Sequence, residues 1–368
     1  MAAWVSRVIR GAPNRRALAS GGEGTPSGVR LADVPFAMPQ TRIIGTGHAV
    51  PDRVVTNDDL AAIMDTSDEW ITQRTGIRQR RWVQEGDTGI GLATIAVTRA
   101  LEMAGIGTAD VDAILYATST SDHFAPGNGV LLQHAMGFGM IPAFDLRAQC
   151  SGFVYSLAMA DAFIRAGTFR TILIVGQEIQ STSLDVSTAG RDSAVIFADG
   201  AGAVVVRASE GDETSAVLAT DLHGNGEFAR ELWVDAPGAI YHPRMQADHI
   251  GSRSFLQMNG REVFRHATTR MPESMETALA QAGVRAADLA LLIPHQANLR
   301  ISEMVQKRLG LRDDQVYNNI ERFGNTTAAT IPIALDEVVR SGRLSRGDLV
   351  AFTAFGAGFL WGSAILRW

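Results

Sequence analysis

Apolar runs and amphipathic segments alternate along most of the chain. Short continuous apolar runs, such as TILIVG at 171–176 and DLVAFTAFG at 348–356, are typical of strands whose sheet is covered on both faces. Between such runs, apolar residues recur at helical spacing, which predicts helices over 88–104, 151–166, 298–309 and 331–341. This alternation predicts an α/β fold in which helices cover buried mixed sheets.

Two segments of the chain repeat one pattern. ALEMAGIGTADVDAILYAT (100–118) and ALAQAGVRAADLALLIPHQ (278–296) align without a gap, and GAVVVR (202–207) matches GSAILR (362–367). In each long segment we predict a helix that ends at a glycine, Gly105 or Gly283, followed by a strand. Chance similarity is the alternative, but the paired endings favour a duplication, with halves at 41–210 and 211–368 packed about a pseudo-twofold axis. Sites in such folds lie at strand ends, where we expect the halves to meet.

Residues 1–40 differ from the rest of the chain. They carry four arginines before the first acidic residue, Glu23, a composition that resembles an organelle-targeting peptide. A disordered extension, or an upstream start codon with Met38 as the natural start, is the plainer explanation of the segment, and we favour it over targeting. We therefore exclude it from the fold prediction.

Charge and cysteine content narrow the function classes. The net charge of −6 gives no general attraction to nucleic acid or to an anionic membrane, and no apolar run reaches the roughly 18 residues of a membrane span. A single cysteine forms no internal disulfide, which is typical of a reducing compartment. We expect a cytoplasmic protein, with organelle targeting by residues 1–40 as the alternative.

That one cysteine stands in RAQCSGF, between the predicted strand IPAFDL and the helix predicted at 151–166. At the start of a helix, unpaired amides and the helix dipole favour an anion, so we expect a lowered pKa of the Cys150 thiol and a reactive thiolate. A buried structural cysteine is the plain alternative.

Two further side chains stand at junctions between a strand or loop and a helix. His295 follows the buried run LALLIP, and Asn325 follows a glycine before the helix predicted at 331–341. A histidine at a strand end is usually only a satisfied polar group, and an asparagine in a turn usually bonds its own backbone. Cysteine, histidine and asparagine at three such junctions form a more specific set, which indicates a nucleophilic site.

The chain from about Arg42 to Trp368 resembles the thiolase superfamily and, within it, β-ketoacyl-acyl-carrier-protein synthase III. The resemblance rests on the motifs DTSDEWITQRTGIRQRR, CSGF, FADGAGA, PHQANLRI, GNTTAATIPIALDE and FGAGFLWGSA. It implies a duplicated, five-layered αβαβα fold that works as a homodimer, and a decarboxylative Claisen condensation that initiates fatty-acid synthesis. The substrates implied are an acyl-coenzyme A and malonyl-acyl-carrier protein, with no metal and no cofactor beyond the coenzyme A thioester itself.

The resemblance also implies roles for residues at matching positions. Cys150 would carry the acyl group, the backbone amides of Cys150 and Ala357 would stabilise its oxyanion, and Phe355 would pack against the active-site loop. His295 and Asn325 would hold the malonyl thioester carbonyl and stabilise the enolate. The positions that match coenzyme A and pantetheine contacts are Thr66, Trp70, Arg74, Arg191 and Asn298. A capping box from Thr66 to Glu69 is a structural interpretation of the same segment, and both can hold together.

A basic patch is implied as the docking surface for the acidic carrier protein. Its matching residues are Arg265, Arg300, Lys307 and Arg308. The alternative is an ordinary solvated helix face.

The chain departs from the family pattern at two places that bear on the acyl group. Arg147-Ala148-Gln149 stands where the family commonly has alanines. In HFAP, Phe124 lies one place earlier than the aromatic residue that usually precedes this proline and closes the partner subunit's acyl pocket. If Ala125 lines the pocket, the pocket is deeper and an acyl chain longer than acetyl fits. If the loop slips by one residue, nothing changes.

Two alternatives to this function stay open from the residues. One is a sibling enzyme on the same scaffold that transfers an acyl group to oxygen or nitrogen, or condenses two acyl thioesters head to head. Retention of Asn325 in GNTTAA favours decarboxylative condensation over both. The other is a catalytically silent partner subunit, which the presence of Cys150, His295 and Asn325 together disfavours.

Overall fold

A computed structural model describes residues 39–210, 213–238 and 251–368. The expectations for the amino-terminal extension at 1–40 therefore lie outside the described residues, apart from its last two positions. The described residues belong to one compact unit, Met38–Trp368.

The described strands and helices follow in chain order. The strands are β1 Thr41–Ala49, β2 Val54–Thr56, β3 Gln79–Arg81, β4 Ala113–Ala117, β5 Ala143–Leu146, β6 Thr171–Ile179, β7 Asp199–Ala208, β8 Ala216–Gly224, β9 Leu232–Val234, β10 Leu256–Met258, β11 Leu291–Pro294, β12 Leu349–Gly356 and β13 Leu360–Arg367. The helices are α1 Asn57–Ala61, α2 Asp68–Thr75, α3 Gly89–Ala104, α4 Asn128–Ala135, α5 Gly152–Arg165, α6 Arg191–Ala194, α7 Gly260–Ala282, α8 Leu299–Leu309, α9 Ile320–Phe323 and α10 Thr330–Arg340.

Two mixed sheets carry the architecture. The first has the strand order β1-β7-β6-β4-β5, with β4 parallel to both β5 and β6 and the other neighbours antiparallel. The second has the order β11-β12-β13-β8, with β11 parallel to β12. All strands of the first sheet precede residue 209 and all strands of the second follow residue 215.

The apolar cores show how helices and sheets are layered. One core joins residues of both sheets to α5 and α10, so these two helices form a layer between the sheets. In it Phe153 of α5 meets Phe352 of β12 edge to face, with 5.5 Å between ring centroids. The outer face of the first sheet is covered by α3 and α4, and that of the second by α7 and α8. The α/β fold predicted from the apolar pattern is confirmed.

The helices predicted from periodicity are found within one or two residues of their expected ends. The glycine stops are confirmed as well: α3 ends at Gly105 with φ 66° and α7 at Gly283 with φ 67°. These left-handed positions favour glycine because it lacks the Cβ that would clash there.

The capping box predicted from Thr66 to Glu69 is wrong. The N-cap of α2 is Ser67, whose hydroxyl accepts a hydrogen bond from the amide of Trp70 at 3.1 Å. The Thr66 hydroxyl is buried and finds no hydrogen-bond partner within the described part of the chain. Two adjacent capping residues compete for one helix start, and the sequence pattern did not distinguish them.

Candidate active site

Cys150 lies in a tight turn between β5 and α5. The turn, Gln149–Ser151, is a single 3₁₀ turn that leads into α5, and Gln149 adopts a left-handed φ of 44°. The Ser151 hydroxyl donates a hydrogen bond to the carbonyl of Leu360 at 2.9 Å, which fixes the turn against the second sheet. A Cβ built on Gly356, at the end of β12, would lie 2.6 Å from the Cβ of Cys150. Only a glycine lets the two backbones come this close.

The expectation of a lowered thiol pKa is wrong for this conformation. Burial raises the pKa of the Cys150 thiol to about 12, and the negative charge of Glu178 adds to the increase. Hydrogen bonds from the backbone amides of Cys150 and Ala357 act in the opposite direction but do not compensate. The electrostatic effect of a helix start is too small to offset the lost solvation of a thiolate at this buried position. The resting side chain is therefore a neutral thiol.

Glu178, on β6, is the charged group that acts on the pKa of this thiol. Its carboxylate is fully buried and accepts hydrogen bonds from the backbone amide and hydroxyl of Ser119, the hydroxyl of Thr120 and the side-chain Nε2 of Gln180. Burial nevertheless raises the pKa of Glu178 to about 7. The sequence analysis did not identify this residue, because only the fold brings a glutamate of the apolar strand β6 close enough to Cys150 to affect its pKa.

His295 follows β11, and hydrogen bonds fix both its backbone and its ring. Its amide donates to the carbonyl of Thr353 at 2.8 Å, and its Nδ1 lies 2.7 Å from the hydroxyl oxygen of Thr330. Its Nε2 is buried and has no hydrogen-bond partner among the described residues. Burial lowers the pKa of His295 to about 3, so the ring is neutral.

Asn325 is oriented by its own loop. Gly324 precedes it with φ 66°, and the Asn325 amide bonds to the carbonyl of Ile196 at 2.9 Å. Its Oδ1 accepts a hydrogen bond from the amide of Thr327 at 2.8 Å. Because the oxygen is occupied, the Nδ2 end is the one left to donate to a ligand.

One cavity of about 360 Å³ brings these three side chains together. Cys150, His295 and Asn325 line it, as does Phe355 of β12. Trp70, Arg74 and Asn298 line it too. An exposed arginine that the sequence analysis did not single out, Arg261 at the start of α7, also contributes to its wall.

The residues predicted to contact coenzyme A cluster around Trp70. The guanidinium of Arg74 lies 4.4 Å from the centroid of the indole and that of Arg191 lies 4.7 Å from it. Asn298, the N-cap of α8, donates through Nδ2 to the carbonyl of Arg74 at 2.9 Å. Arg191 stacks directly on the indole, so a planar base needs about 7 Å opened between them, two ring-stacking distances. Neither Thr66 nor Arg191 lines the 360 Å³ cavity.

Two of the four residues in the predicted basic patch form ion pairs with neighbouring glutamates. Arg265 forms an ion pair with Glu262, and Arg308 forms one with Glu276 at 3.3 Å. Arg300 and Lys307 are exposed on α8 and make no side-chain ion pair with the described residues.

A second cavity, of about 580 Å³, also reaches Cys150. Phe124, Arg147 and Gln149 line it, together with Ala357. Phe124 is 81% exposed in the single chain, and Ala125 is not among the lining residues. Within one chain the cavity wall thus carries the aromatic residue of HFAP and not the alanine beside it.

Two negative observations concern the described residues. Within residues 39–210, 213–238 and 251–368, no three His, Cys, Asp or Glu side chains are grouped as a metal site requires. In the same ranges, no helix combines the length and the apolarity needed to cross a bilayer.

Family models match both halves of this arrangement. A model described as 3-oxoacyl-[acyl-carrier-protein (ACP)] synthase III matches residues 144–226, which include the turn of Cys150. A model described as the C-terminal part of 3-oxoacyl-[acyl-carrier-protein (ACP)] synthase III matches residues 279–368, which include His295 and Asn325.

Curated proteins and solved structures are similar over almost the whole described chain. A beta-ketoacyl-[acyl-carrier-protein] synthase III from Acidiphilium cryptum (strain JF-5) is 44% identical over 331 residues, 90% of this chain and 100% of that protein. The crystal structure of 3-oxoacyl-[acyl-carrier-protein] synthase III from Aquifex aeolicus VF5 is 40% identical, with a TM-score of 0.82 over 89% of this chain and 100% of that one. The priming β-ketosynthase of the R1128 polyketide pathway is 32% identical, with a TM-score of 0.82 over 91% of this chain and 98% of that one. The thiolase-like fold expected from the sequence motifs is confirmed.

Proposed function

Because the chain belongs to the 3-oxoacyl-[acyl-carrier-protein] synthase III family, we propose that it condenses an acyl-coenzyme A with malonyl-acyl-carrier protein and releases carbon dioxide. The observation that carries this proposal is the shared cavity. Cys150, His295 and Asn325 all line it; among the described residues, the buried Nε2 of His295 has no hydrogen-bond partner and the Asn325 oxygen is already occupied.

In the first half-reaction, the Cys150 sulfur attacks the thioester carbon of the acyl-coenzyme A. Because the thiol is neutral, its proton must leave as the carbon–sulfur bond forms, and neutral His295 is the base that accepts it through Nε2. The amides of Cys150 and Ala357 already point at the sulfur and stabilise the tetrahedral oxyanion. The bond to coenzyme A then breaks, and its sulfur takes the proton from His295.

In the second half-reaction, malonyl-acyl-carrier protein occupies the same cavity. Loss of carbon dioxide leaves an enolate, whose oxygen accepts hydrogen bonds from Asn325 Nδ2 and from an N–H of His295. Its carbon attacks the acyl group on Cys150, and the new carbon–carbon bond expels the cysteine as a thiolate. One proton from solvent then restores the thiol. Decarboxylation supplies the electron pair, so these residues need only orient the thioester and stabilise charge.

The Asn325→Ala variant separates the two half-reactions. We expect it to acylate Cys150 normally and to release carbon dioxide from malonyl-carrier protein about 10²- to 10³-fold more slowly, because one donor to the enolate is missing. Mass spectrometry of the intact protein measures acylation, and labelled carbon dioxide measures decarboxylation. Normal carbon dioxide release by the variant would contradict the role of Asn325. Failure of the wild-type protein to become acylated would contradict the proposed function.

We also propose the ligand contacts that the family implies. Trp70 and Arg191 would hold the adenine of coenzyme A, with Thr66 and Arg74 beside them and Asn298 along the pantetheine path. The position of Trp70 on the wall of the 360 Å³ cavity supports this arrangement, in which Arg191 would move off the indole to admit the base. For the carrier protein, Arg300 and Lys307 are the residues of the patch that form no ion pair within the described ranges, so their charge is available to a partner.

A chain longer than acetyl is our proposal for the acyl group. The cavity of about 580 Å³ that reaches Cys150 in the single chain supports it, and in a dimer the partner subunit's loop would set how much of that space remains for the acyl group. Acylation rates with acetyl-, butyryl-, hexanoyl- and octanoyl-coenzyme A test it. A sharp preference for acetyl would contradict it.

A homodimer and a cytoplasmic location complete the proposal. Within the described residues, strand β5 is an edge of the first sheet; Met140, three residues before it, is an exposed apolar side chain, as is Phe124. An unpaired edge beside exposed apolar residues is a surface that a second copy covers. The lone cysteine supports the reducing compartment.

A further inference from the structure

We propose that Arg147 selects an acyl group with a carboxylate at its far end, the half-thioester of a dicarboxylic acid with coenzyme A. The inference rests on the proposed function and names the class of acyl substrate for it. Arg147 takes no part in the exchange of thioesters at Cys150. It determines specificity, because its guanidinium binds the end of the acyl group that does not react.

The charge on the wall of the 580 Å³ cavity has one sign. Arg147 lines this cavity, and among the described residues neither an aspartate nor a glutamate does. The guanidinium makes no hydrogen bond or ion pair with the described part of the chain. Its five N–H groups are therefore left for solvent or for a ligand. An alkyl chain offers them no acceptor, whereas a carboxylate accepts two parallel hydrogen bonds from them.

Two further side chains of the same wall are polar and unpaired. Gln149 and His123 line the cavity, and neither side chain makes a hydrogen bond within the described residues. A glutamine N–H and an imidazole N–H both donate to a carboxylate. An alkyl chain packed on these groups would remove their water without replacing its hydrogen bonds, which is unfavourable. The wall therefore suits a polar acyl group better than an apolar one.

The place of Arg147 in the chain limits how far the anion lies from the reacting sulfur. Arg147 precedes Cys150 by three positions, so their Cα atoms are at most about 11 Å apart. The arginine side chain covers part of that distance, and an acyl chain of about four to six carbons covers the rest. An anion directly beside the sulfur is disfavoured, because Glu178 already acts on Cys150 with its negative charge. The carboxylate therefore belongs at the far end of the acyl group.

The proposed dimer strengthens the need for a counter-ion at Arg147. The residue follows β5, an edge of the first sheet within the described residues, and its side chain is exposed in the single chain. A second copy that covers this edge removes water from the guanidinium, and a desolvated cation without a counter-ion is unfavourable. The carboxylate of the acyl group supplies that counter-ion. An acidic side chain of the partner subunit is the competing source.

The chemistry at Cys150 is the same for such a substrate. Its sulfur forms a bond to the thioester carbon, the bond to the sulfur of coenzyme A breaks, and coenzyme A leaves with the thiol proton. The far carboxylate keeps its charge throughout. Condensation with malonyl-carrier protein then gives a 3-oxoacyl chain that carries a carboxylate at its other end.

The test compares esters of equal carbon number that differ at the far end. Mass spectrometry of the intact, full-length protein gives kcat/KM for acylation by hexanoyl- and by adipoyl-coenzyme A. We expect wild type to favour adipoyl at least about 10-fold, because two charge-assisted hydrogen bonds to Arg147 replace the contact with a methyl group. An apolar pocket has the opposite preference, because it leaves the carboxylate unpaired. Succinyl- and butyryl-coenzyme A form a second pair.

The Arg147→Met variant keeps the length of the side chain and removes its charge. We expect acylation by adipoyl-coenzyme A to fall about 10- to 100-fold and acylation by hexanoyl-coenzyme A to stay within about 3-fold of wild type. Activity with hexanoyl-coenzyme A also shows that the variant is folded. Arg346→Met, which removes an exposed arginine that lines neither cavity, is the matched control and should keep the preference of wild type.

The outcomes separate the inference from the proposed function. Equal rates of wild type with the two esters, the result expected if an acid of the partner subunit pairs with Arg147, would overturn the inference, as would a preference for hexanoyl. A preference for adipoyl that survives in Arg147→Met would overturn it too. In all three cases the proposed function stands. If no coenzyme A ester acylates wild type, the proposed function falls, and the inference falls with it.

Discussion

Replacing Glu178 by glutamine should remove a pH dependence of stability that the buried site imposes. The carboxylate of Glu178 is fully buried, and its hydrogen bonds from Ser119, Thr120 and Gln180 do not compensate for the lost solvation. Burial therefore raises the pKa of Glu178 from 4.5 in the unfolded chain to about 7 in the folded protein. Glutamine has nearly the same shape and no charge to desolvate.

The sign follows from where the proton is bound. Between pH 4.5 and 7 the folded protein holds a proton at Glu178 that the unfolded chain has already lost. The free energy of unfolding therefore falls as pH rises through this window and levels off above pH 7. A pKa difference of about two and a half units, at about 1.4 kcal/mol each, gives a loss of about 2 to 3 kcal/mol between pH 5 and pH 8.

The assay is urea unfolding at pH 5 and pH 8, at one protein concentration because a dimer would make the midpoint depend on it. We expect the wild type to lose about 2 to 3 kcal/mol more than Glu178→Gln over this interval. Glu102→Gln, which removes an exposed carboxylate on α3, is the matched control and should track the wild type. If Glu178→Gln and wild type lose equal stability from pH 5 to pH 8, the carboxylate is not desolvated as argued.

Three further predictions address the ligand sites. Trp70→Ala should raise KM for acyl-coenzyme A about 10-fold with little change in kcat, because stacking on the indole is lost in ground and transition state alike; steady-state kinetics would contradict this if kcat alone fell. Gly356→Ala should slow acylation of Cys150 more than about 100-fold, because the new Cβ would lie 2.6 Å from the Cβ of Cys150 and would force the two backbones apart. An unchanged acylation rate would show that the strand can move freely. The double variant Arg300→Glu/Lys307→Glu should raise KM for malonyl-carrier protein and weaken the salt dependence of that KM, while KM for acyl-coenzyme A stays constant. Arg285→Glu is the control, because Arg285 is not on α8 and is paired with Asp288.

Much of the fold could be predicted from local patterns. The apolar runs gave strands buried on both faces, and the glycines at 105 and 283 marked helix ends, because both signals depend on nearby residues alone. The predicted meeting of Cys150, His295 and Asn325 also depended on local signals. Each stands where a strand or loop turns into a helix, and the repeat related β11, which leads to His295, to β4 of the first half.

What could not be predicted depends on groups distant in sequence. The pKa of Cys150 is set by the sheet and helices that bury it and by Glu178, which lies on another strand. The hydroxyl of Thr330 reaches His295 across 35 residues of sequence. The choice of Ser67 over Thr66 as N-cap is local, yet both residues are good caps, and only the path of the preceding chain decides between them.

The directions of the pKa shifts constrain how this site handles charge. Burial raises the pKa of Cys150 and lowers that of His295, so the resting pair is thiol and imidazole, without an ion pair. A thiolate–imidazolium pair would stabilise the resting enzyme. That stabilisation would not lower the barrier of the reaction, because it is already present in the ground state. In this site, charge develops at the catalytic residues only during the reaction. The oxyanion forms at the amides of Cys150 and Ala357, and the enolate forms at His295 and Asn325. Oriented N–H groups stabilise such charges because their dipoles are already aligned before the charge develops. The neutral resting state is thus what leaves the donors free for both half-reactions.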